Sequence, residues 1–240
     1  MRYRFVDCRY ELGRPEGGRA MYLEGHIPGA SFLDLDTELS DLSVVGAGRH
    51  PLPSAERFAE SASRAGIGEG SFVVAYGDGA ARLWWLLRHF GHDACAVLEG
   101  GLSCWRGPVS SGDEDIEPAY FVARPRTGDT IGADELLERL GDPGLVVVDA
   151  RAAERYRGEV EPIDPVAGHI PGAVNWPFVA AATVPEELLE APELVVYCGS
   201  GVSACVDLNA LALAGRPDAK LYPGSWSDWS TRGLPVETSK

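Results

Sequence analysis

The sequence predicts an α/β protein of two domains built on one shared plan. Three observations lead there. The hexapeptide GHIPGA occurs twice, at 25–30 and at 168–173. Each copy follows a short apolar run ending in Asp, FVDCR at 5–9 and VVVDAR at 146–151. Each is followed by a second apolar run and a glycine loop, VVAYGDG at 73–79 and VVYCGSG at 195–201. A repeat of this length marks a duplicated domain rather than a solenoid. Strand-length apolar runs alternating with helical segments imply a mostly parallel sheet flanked by helices in each domain.

The remaining elements repeat in the same order. An apolar helix follows each glycine loop, ARLWWLLRHFG at 81–91 and ACVDLNALALAG at 204–215. A short strand and an aromatic turn close each copy, VLEGGLSCW at 97–105 and LYPGSWSDW at 221–229. The second copy also opens on a helix, GADELLERL at 132–140. The intervening stretch is rich in Pro, Gly, Ser and acidic residues, which reads as a linker. The expected division is therefore a first domain at 1–107, a linker at 108–128 and a second domain at 129–240. In GHIPGA the proline fixes one dihedral and the glycine permits a turn. Both copies keep it, so His26 and His169 are expected to be hydrogen-bonded scaffold.

Composition narrows the function. The 240 residues are 45% hydrophobic and 24% charged, as in a globular protein. No apolar run has the length of a membrane span, and the N-terminal MRYRFVDCRY lacks the apolar core of a signal peptide, so the cytoplasm is the expected location. The net charge of −15 argues against nucleic acid as a partner. An anionic substrate would then need local positive potential. The five cysteines are odd in number, irregularly spaced and without a CxxC pair, which argues against a disulfide framework or a metal site. Most are expected to behave as small buried hydrophobes. Cys205 falls in that class.

Cys198 has a different setting. It stands where an apolar strand enters a loop of two glycines and two serines ahead of a helix. Such a loop aims several backbone N–H groups inward, and with the helix dipole it cradles negative charge. A cysteine at its base is favoured as thiolate, and Ser200 and Ser203 add hydroxyl donors. The first copy has the same loop grammar with Tyr76 at the cysteine's place, so one copy reads as armed and the other as inert. Two chemistries suit a cradled thiolate. Phosphate-ester hydrolysis needs an arginine six residues after the cysteine, and that position is Ala204. Attack on sulfur to form a persulfide needs only the backbone amides.

With these motifs in place, the sequence resembles the tandem-domain rhodanese family, the thiosulfate and 3-mercaptopyruvate sulfurtransferases. The likeness spans nearly the whole chain. YLEGHIPGASF at 22–32 is similar to the family's first-domain signature. LYPGSWSDW is similar to its closing signature, with Asp228 where Glu is usual. CGSGVSA resembles the mercaptopyruvate-type loop, with Ser203 where Thr is usual. Thiosulfate-type loops carry basic residues that are missing here, which favours 3-mercaptopyruvate as donor. The resemblance implies a catalytic cysteine in the second domain, Cys198, and an inactive first domain. It implies a persulfide on Cys198, cradled by Gly199, Ser200, Gly201, Val202 and Ser203, with no cofactor and no metal. It implies a Ser–His–Asp relay of Ser200, His50 from GRHPLP and Asp36 from FLDLD. It also implies two arginines for the donor's carboxylate. Arg155 matches the first. At the second the sequence has Asp164, with Arg157 as a shifted substitute. The expected acceptor is a thiol, including a thioredoxin-like protein, or cyanide. The rivals are thiosulfate:cyanide sulfurtransfer at the same site and a non-catalytic sulfur-carrier or protein-binding module.

Overall fold

The structure is a computed structural model that describes residues 2–239. The chain forms two compact units. One holds the residues up to Asp41 together with Leu52–Arg126, and the other holds Leu42–Pro51 together with the residues from Thr127 onward. In chain order the first unit contains β1 (Arg2–Asp7), α1 (Gly17–Glu24), β2 (Ser31–Phe32), α2 (Ala55–Arg64), β3 (Ser71–Tyr76), α3 (Ala80–His89), β4 (Cys95–Val97) and α4 (Gly101–Cys104). Its sheet has the order β2-β1-β3-β4, parallel throughout. The second unit contains α5 (Ala133–Glu138), β5 (Leu145–Asp149), α6 (Ala153–Tyr156), β6 (Val174–Asn175), a 3-10 turn (Phe178–Ala180), α7 (Glu186–Glu190), β7 (Glu193–Tyr197), α8 (Ala204–Leu213), β8 (Lys220–Leu221) and α9 (Ser225–Thr231). Its sheet repeats the plan as β6-β5-β7-β8, again parallel. The α/β architecture expected from the repeat is the one observed.

Burial explains why the apolar runs are continuous rather than alternating. The central strand β7 has Leu194 through Tyr197 fully buried, as a parallel strand covered on both faces requires. Every residue of α3 from Ala80 to Leu87 is buried, so this helix is apolar nearly all round. The second core gathers Leu136, Val147, Ile170, Val195, Trp226 and Trp229. Among the described residues no helix is long and apolar enough to cross a membrane.

The strand-end Asp and the GHIPGA turn prove to be one device, made twice. Asp149 and Arg151 form an ion pair with both side chains buried. Arg151 donates from Nη2 to Asp149 at 2.6 Å and to the Gly168 carbonyl at 2.6 Å, which ties the strand end to the start of the second GHIPGA. Asp7, Arg9 and the Gly25 carbonyl repeat the arrangement, with 2.7 Å to the carbonyl. The motif histidines are scaffold, as expected. His26 Nδ1 lies 2.8 Å from the Tyr22 carbonyl, and His169 Nδ1 lies 2.7 Å from that of Tyr156. Each ring stacks on that same tyrosine.

The domain limits differ from the expected ones in two places. Residues 108–126, expected as linker, run along the first unit. The Ala119 N–H donates to the Ser63 carbonyl at 2.9 Å, and Phe121 is buried edge-on to Phe58. Composition flagged a chain without regular structure, which here is a packed strap. Residues 42–51, expected within the first domain, belong to the second unit. Gly48 approaches α9 so closely that an added methyl group would lie 2.5 Å from the Gly224 carbonyl oxygen, and its φ of +85° suits glycine. The neighbouring Arg49 N–H donates to Ser227 Oγ at 3.0 Å.

Removing Arg151 alone would leave the Asp149 charge buried without its cation. Arg151→Met is expected to cost about 3–5 kcal/mol of stability, read from the urea midpoint. A loss below about 1 kcal/mol would mean the pair is not what holds the strand end to the turn.

Candidate active site

β7 delivers Cys198 as the first residue after its last buried tyrosine. The correspondence with the first unit is not the one read from sequence, where Tyr76 stood opposite Cys198. Tyr76 pairs in register with Asp7, and Tyr197 pairs with Asp149. The Tyr76 hydroxyl accepts the Ile27 N–H at 3.2 Å, and that of Tyr197 accepts the Ile170 N–H at 3.1 Å. Tyr76 is therefore the counterpart of Tyr197, and Cys198 falls opposite Gly77. The loops also differ in length. Three residues, 77–79, separate β3 from α3, whereas six, 198–203, separate β7 from α8. The shared valines and glycines hid this one-residue slip. A cavity of about 590 Å³ lies at the short loop, lined in part by Arg9, Gly77, Asp78 and Ser103. Its lining includes a carboxylate, Asp78, and no cysteine.

The long loop wraps the sulfur. The Gly201 N–H donates to Cys198 Sγ at 3.2 Å. Gly201 has φ of +76°, and a methyl group there would lie 2.4 Å from the Pro223 carbonyl oxygen, so only glycine fits. Its carbonyl accepts Cys205 Sγ–H at 3.4 Å, which makes Cys205 a buried prop for the loop. Val202 is buried, and its carbonyl accepts the Cys205 N–H at 3.1 Å. Ser203 precedes α8 without capping it through its side chain. The start of α9 grips the same loop from the other side. The Cys198 N–H donates to Ser225 Oγ at 3.1 Å, the Trp226 N–H donates to the Cys198 carbonyl at 2.9 Å, and the Ser227 N–H donates to that of Gly199 at 2.9 Å. Ser225 holds φ at +54°, in the left-handed region, and its hydroxyl also donates to the Tyr222 carbonyl at 3.0 Å. Asp228, where Glu was expected, accepts the Tyr222 hydroxyl and Arg232 Nε, both at 2.7 Å.

Ser200 and His50 come together. His50 Nδ1 lies 2.7 Å from Ser200 Oγ, with His50 supplied by the 42–51 segment of the same unit. Asp36 lies in the first unit, half-buried in the turn after β2, where its N–H donates to the Asp34 carboxylate at 3.0 Å.

The arginines depart from expectation. Arg155 is here, and it is paired. It donates to Glu161 at 2.7 Å and to Asp164 at 3.1 Å. Arg157 is not the substitute, because it pairs with Glu159 on the surface at 2.8 Å. The second guanidinium belongs to Arg49, which sequence reasoning missed. Arg49 forms an ion pair with Asp164, and a methyl group built on Gly199 would lie 2.9 Å from Arg49 Nη2 and 3.5 Å from Arg155 Nη1. Two guanidiniums thus converge beside the cysteine loop. The one available signal was its place next to His50 in GRHPLP. Glu161 is buried, which works against its charge. Arg155 and the N–H groups of Asp164 and Ile163 outweigh that and hold its carboxyl below the ordinary range. Burial pushes the Asp164 carboxyl up, Glu161 adds to this, and the two arginines offset only part of it.

One further acid lies behind the cysteine. Asp207, in the first turn of α8, is fully buried, and neither carboxylate oxygen has a hydrogen-bond partner among the described residues. Burial, followed by the charges of Cys198 and Asp149, pushes its carboxyl up to about 9. A native value above the unfolded one means that folding takes up a proton. The penalty is absent below the unfolded value near pH 4 and grows by about 1.4 kcal/mol per pH unit towards 9. Asp207→Asn is therefore expected to raise the thermal midpoint at pH 8 more than at pH 5. An equal shift at both would disprove the buried neutral acid.

Comparison with known proteins places the chain in a family. The model of the rhodanese-like domain matches residues 2–107 and again 132–232. The chain is 44% identical to a probable 3-mercaptopyruvate sulfurtransferase of Pseudomonas aeruginosa, over 94% of this chain and 88% of that protein. It is 40% identical to a putative thiosulfate sulfurtransferase of Mycobacterium tuberculosis, over 94% and 87%. The crystal structure of the 3-mercaptopyruvate sulfurtransferase SseA from Escherichia coli superposes with a TM-score of 0.79 at 32% identity, covering 94% of this chain and 93% of that one. With two matched domains and a cysteine loop in the second, the chain belongs to the rhodanese-like family as a tandem-domain member.

Proposed function

We propose that the protein is a sulfurtransferase that takes sulfur from 3-mercaptopyruvate onto Cys198 and passes it to a thiol or to cyanide. The observation that carries this reading is the six-residue loop, with an N–H on the sulfur, Ser200 paired with His50 and two guanidiniums beside Gly199. The donor's carboxylate is received by Arg155 and Arg49, since planar guanidiniums match a carboxylate. The Cys198 thiolate attacks the donor's sulfur. The S–S bond forms as the C–S bond breaks, and the electron pair leaves on carbon as the enolate of pyruvate. Ser200, backed by His50, delivers the proton that carbon requires. The donor thiol's own proton balances it, so Cys198 ends as a persulfide anion and pyruvate departs. The loop amides from Gly199 to Ser203 hold that anion. An acceptor thiolate, small or on a thioredoxin-like cytoplasmic protein, then attacks the outer sulfur and frees the Cys198 thiolate. Asp36 is the carboxylate of the relay on resemblance alone.

Mass spectrometry of the intact protein tests the first half. With 3-mercaptopyruvate it should gain about 32 Da, one persulfide sulfur, and Cys198→Ser should gain nothing. A wild-type chain unchanged by any sulfur donor would leave the carrier or binding-module reading instead.

The relay separates the two donors. Sulfite leaves thiosulfate without protonation at carbon, whereas pyruvate requires it. His50→Ala should therefore slow turnover of 3-mercaptopyruvate by about 100-fold or more while thiosulfate turnover changes little. Equal losses with both donors, or a strong preference of the wild type for thiosulfate, would overturn the choice of donor.

A further inference from the structure

The two arginines beside Gly199 already hold a carboxylate. Asp164 is hydrogen-bonded by both Arg49 and Arg155, and its side chain is 3% exposed. It stands in EPIDP, between Pro162 and Pro165, on a stretch stiffened at both ends. The Glu161 carboxylate pins this stretch by accepting the N–H groups of Ile163 and Asp164 at 3.1 and 3.0 Å. Glu161 is itself held by Arg155 and by Arg151. The cluster of Arg49, Arg151 and Arg155 is matched by Asp149, Glu161 and Asp164, so it has no excess positive charge to offer an incoming anion. The guanidinium edges that face Gly199 are nonetheless those of Arg49 and Arg155.

We propose that Asp164 is an internal stand-in for the donor's carboxylate: it occupies the Arg49–Arg155 clamp in the free protein, and the donor binds by taking over those guanidiniums. This rests on the sulfur-transfer reading above. It makes Asp164 a positioning and specificity-setting residue that acts through the two arginines. The exchange replaces one singly charged carboxylate by another, so a monocarboxylate meets the least repulsion and a dianion such as thiosulfate meets more. It also couples binding to a proton. The groups facing Asp164 are Arg49 from the 42–51 segment, Arg155 from α6 and Glu161 from its own loop, with Arg151 behind Glu161. An arriving carboxylate beside Asp164 favours its neutral form, which burial already favours. Anion affinity should therefore increase as the pH falls.

Calorimetric titration of the full-length protein with pyruvate tests this apart from turnover. Asp164→Asn is expected to bind pyruvate about ten-fold more tightly than wild type at pH 7, because a damaged site would bind less and a released clamp binds more. Between pH 7 and pH 5 the wild-type affinity should rise further than that of the variant. The variant keeps His50, so the difference in slope isolates Asp164. Should the asparagine variant not fold, Asp164→Ser carries the same comparison. The KM for 3-mercaptopyruvate should fall in step with the pyruvate affinity. Equal pyruvate affinity and equal pH slopes in the two proteins overturn the inference and leave persulfide formation on Cys198 standing. Pyruvate bound by neither overturns it together with the assignment of the donor's carboxylate to Arg49 and Arg155.

Discussion

The buried pair of Asp149 and Arg151 is the contact on which the second unit's chemistry depends. Two charges without water require near-complete hydrogen bonding to be tolerated, and the partners they recruit are the parts of the site. Asp149 takes the Tyr197 hydroxyl at 2.7 Å, one residue before Cys198. Burial pushes that hydroxyl well up, so it remains a donor. Arg151 takes the Gly168 carbonyl and Glu161, and its guanidinium lies 4.5 Å from the centre of the Trp226 ring. The Trp226 backbone N–H in turn donates to the Cys198 carbonyl. The strand end, the GHIPGA turn, the arginine cluster and the first turn of α9 are thus all referenced to one ion pair.

The first unit keeps that device in Asp7, Arg9 and Tyr76 and yet has no thiol cradle. The difference lies in the loop rather than in a single exchanged residue. Three residues cross from β3 to α3, and Gly77, at the cysteine's place, offers no side chain for a backbone N–H to meet. Six residues cross from β7 to α8, and the left-handed Gly201 returns its N–H to Cys198 Sγ. Loop length and the residue at the strand end thus differ between the units, while the ion-pair scaffold is shared.

The fold and the glycine loop that wraps Cys198 were legible because both are written locally. Strand-length apolar runs, the twin GHIPGA turns and the glycines around Cys198 each act over a few residues. The pairing of Ser200 with His50 was reached through resemblance. What stayed hidden depends on contacts across the chain. Arg49 lies 150 positions before Gly199, and only its place next to His50 distinguishes it in sequence from a surface arginine. Arg157 looked equally suitable until its pairing with Glu159 was seen. Tyr76 was set opposite Cys198 because the valines align as well one residue out of register, and only the strand pairing with Asp7 distinguishes the two. Residues 108–126 looked like linker because composition reports the lack of regular structure and not the packing of Phe121.

The transfer of residues 42–51 to the second unit bears on how such a protein could arise and be divided. A duplication produces two halves that are each continuous in sequence. Here the second unit draws His50 and Arg49 from a stretch encoded within the other half. Cysteine, loop and ion pair lie on one side of residue 127, while the group that faces Ser200 and one of the two guanidiniums lie on the other. The gene therefore has no single cut that yields an intact reactive unit. The second unit depends on the first half through ten residues, and the first half cannot be removed without taking them along.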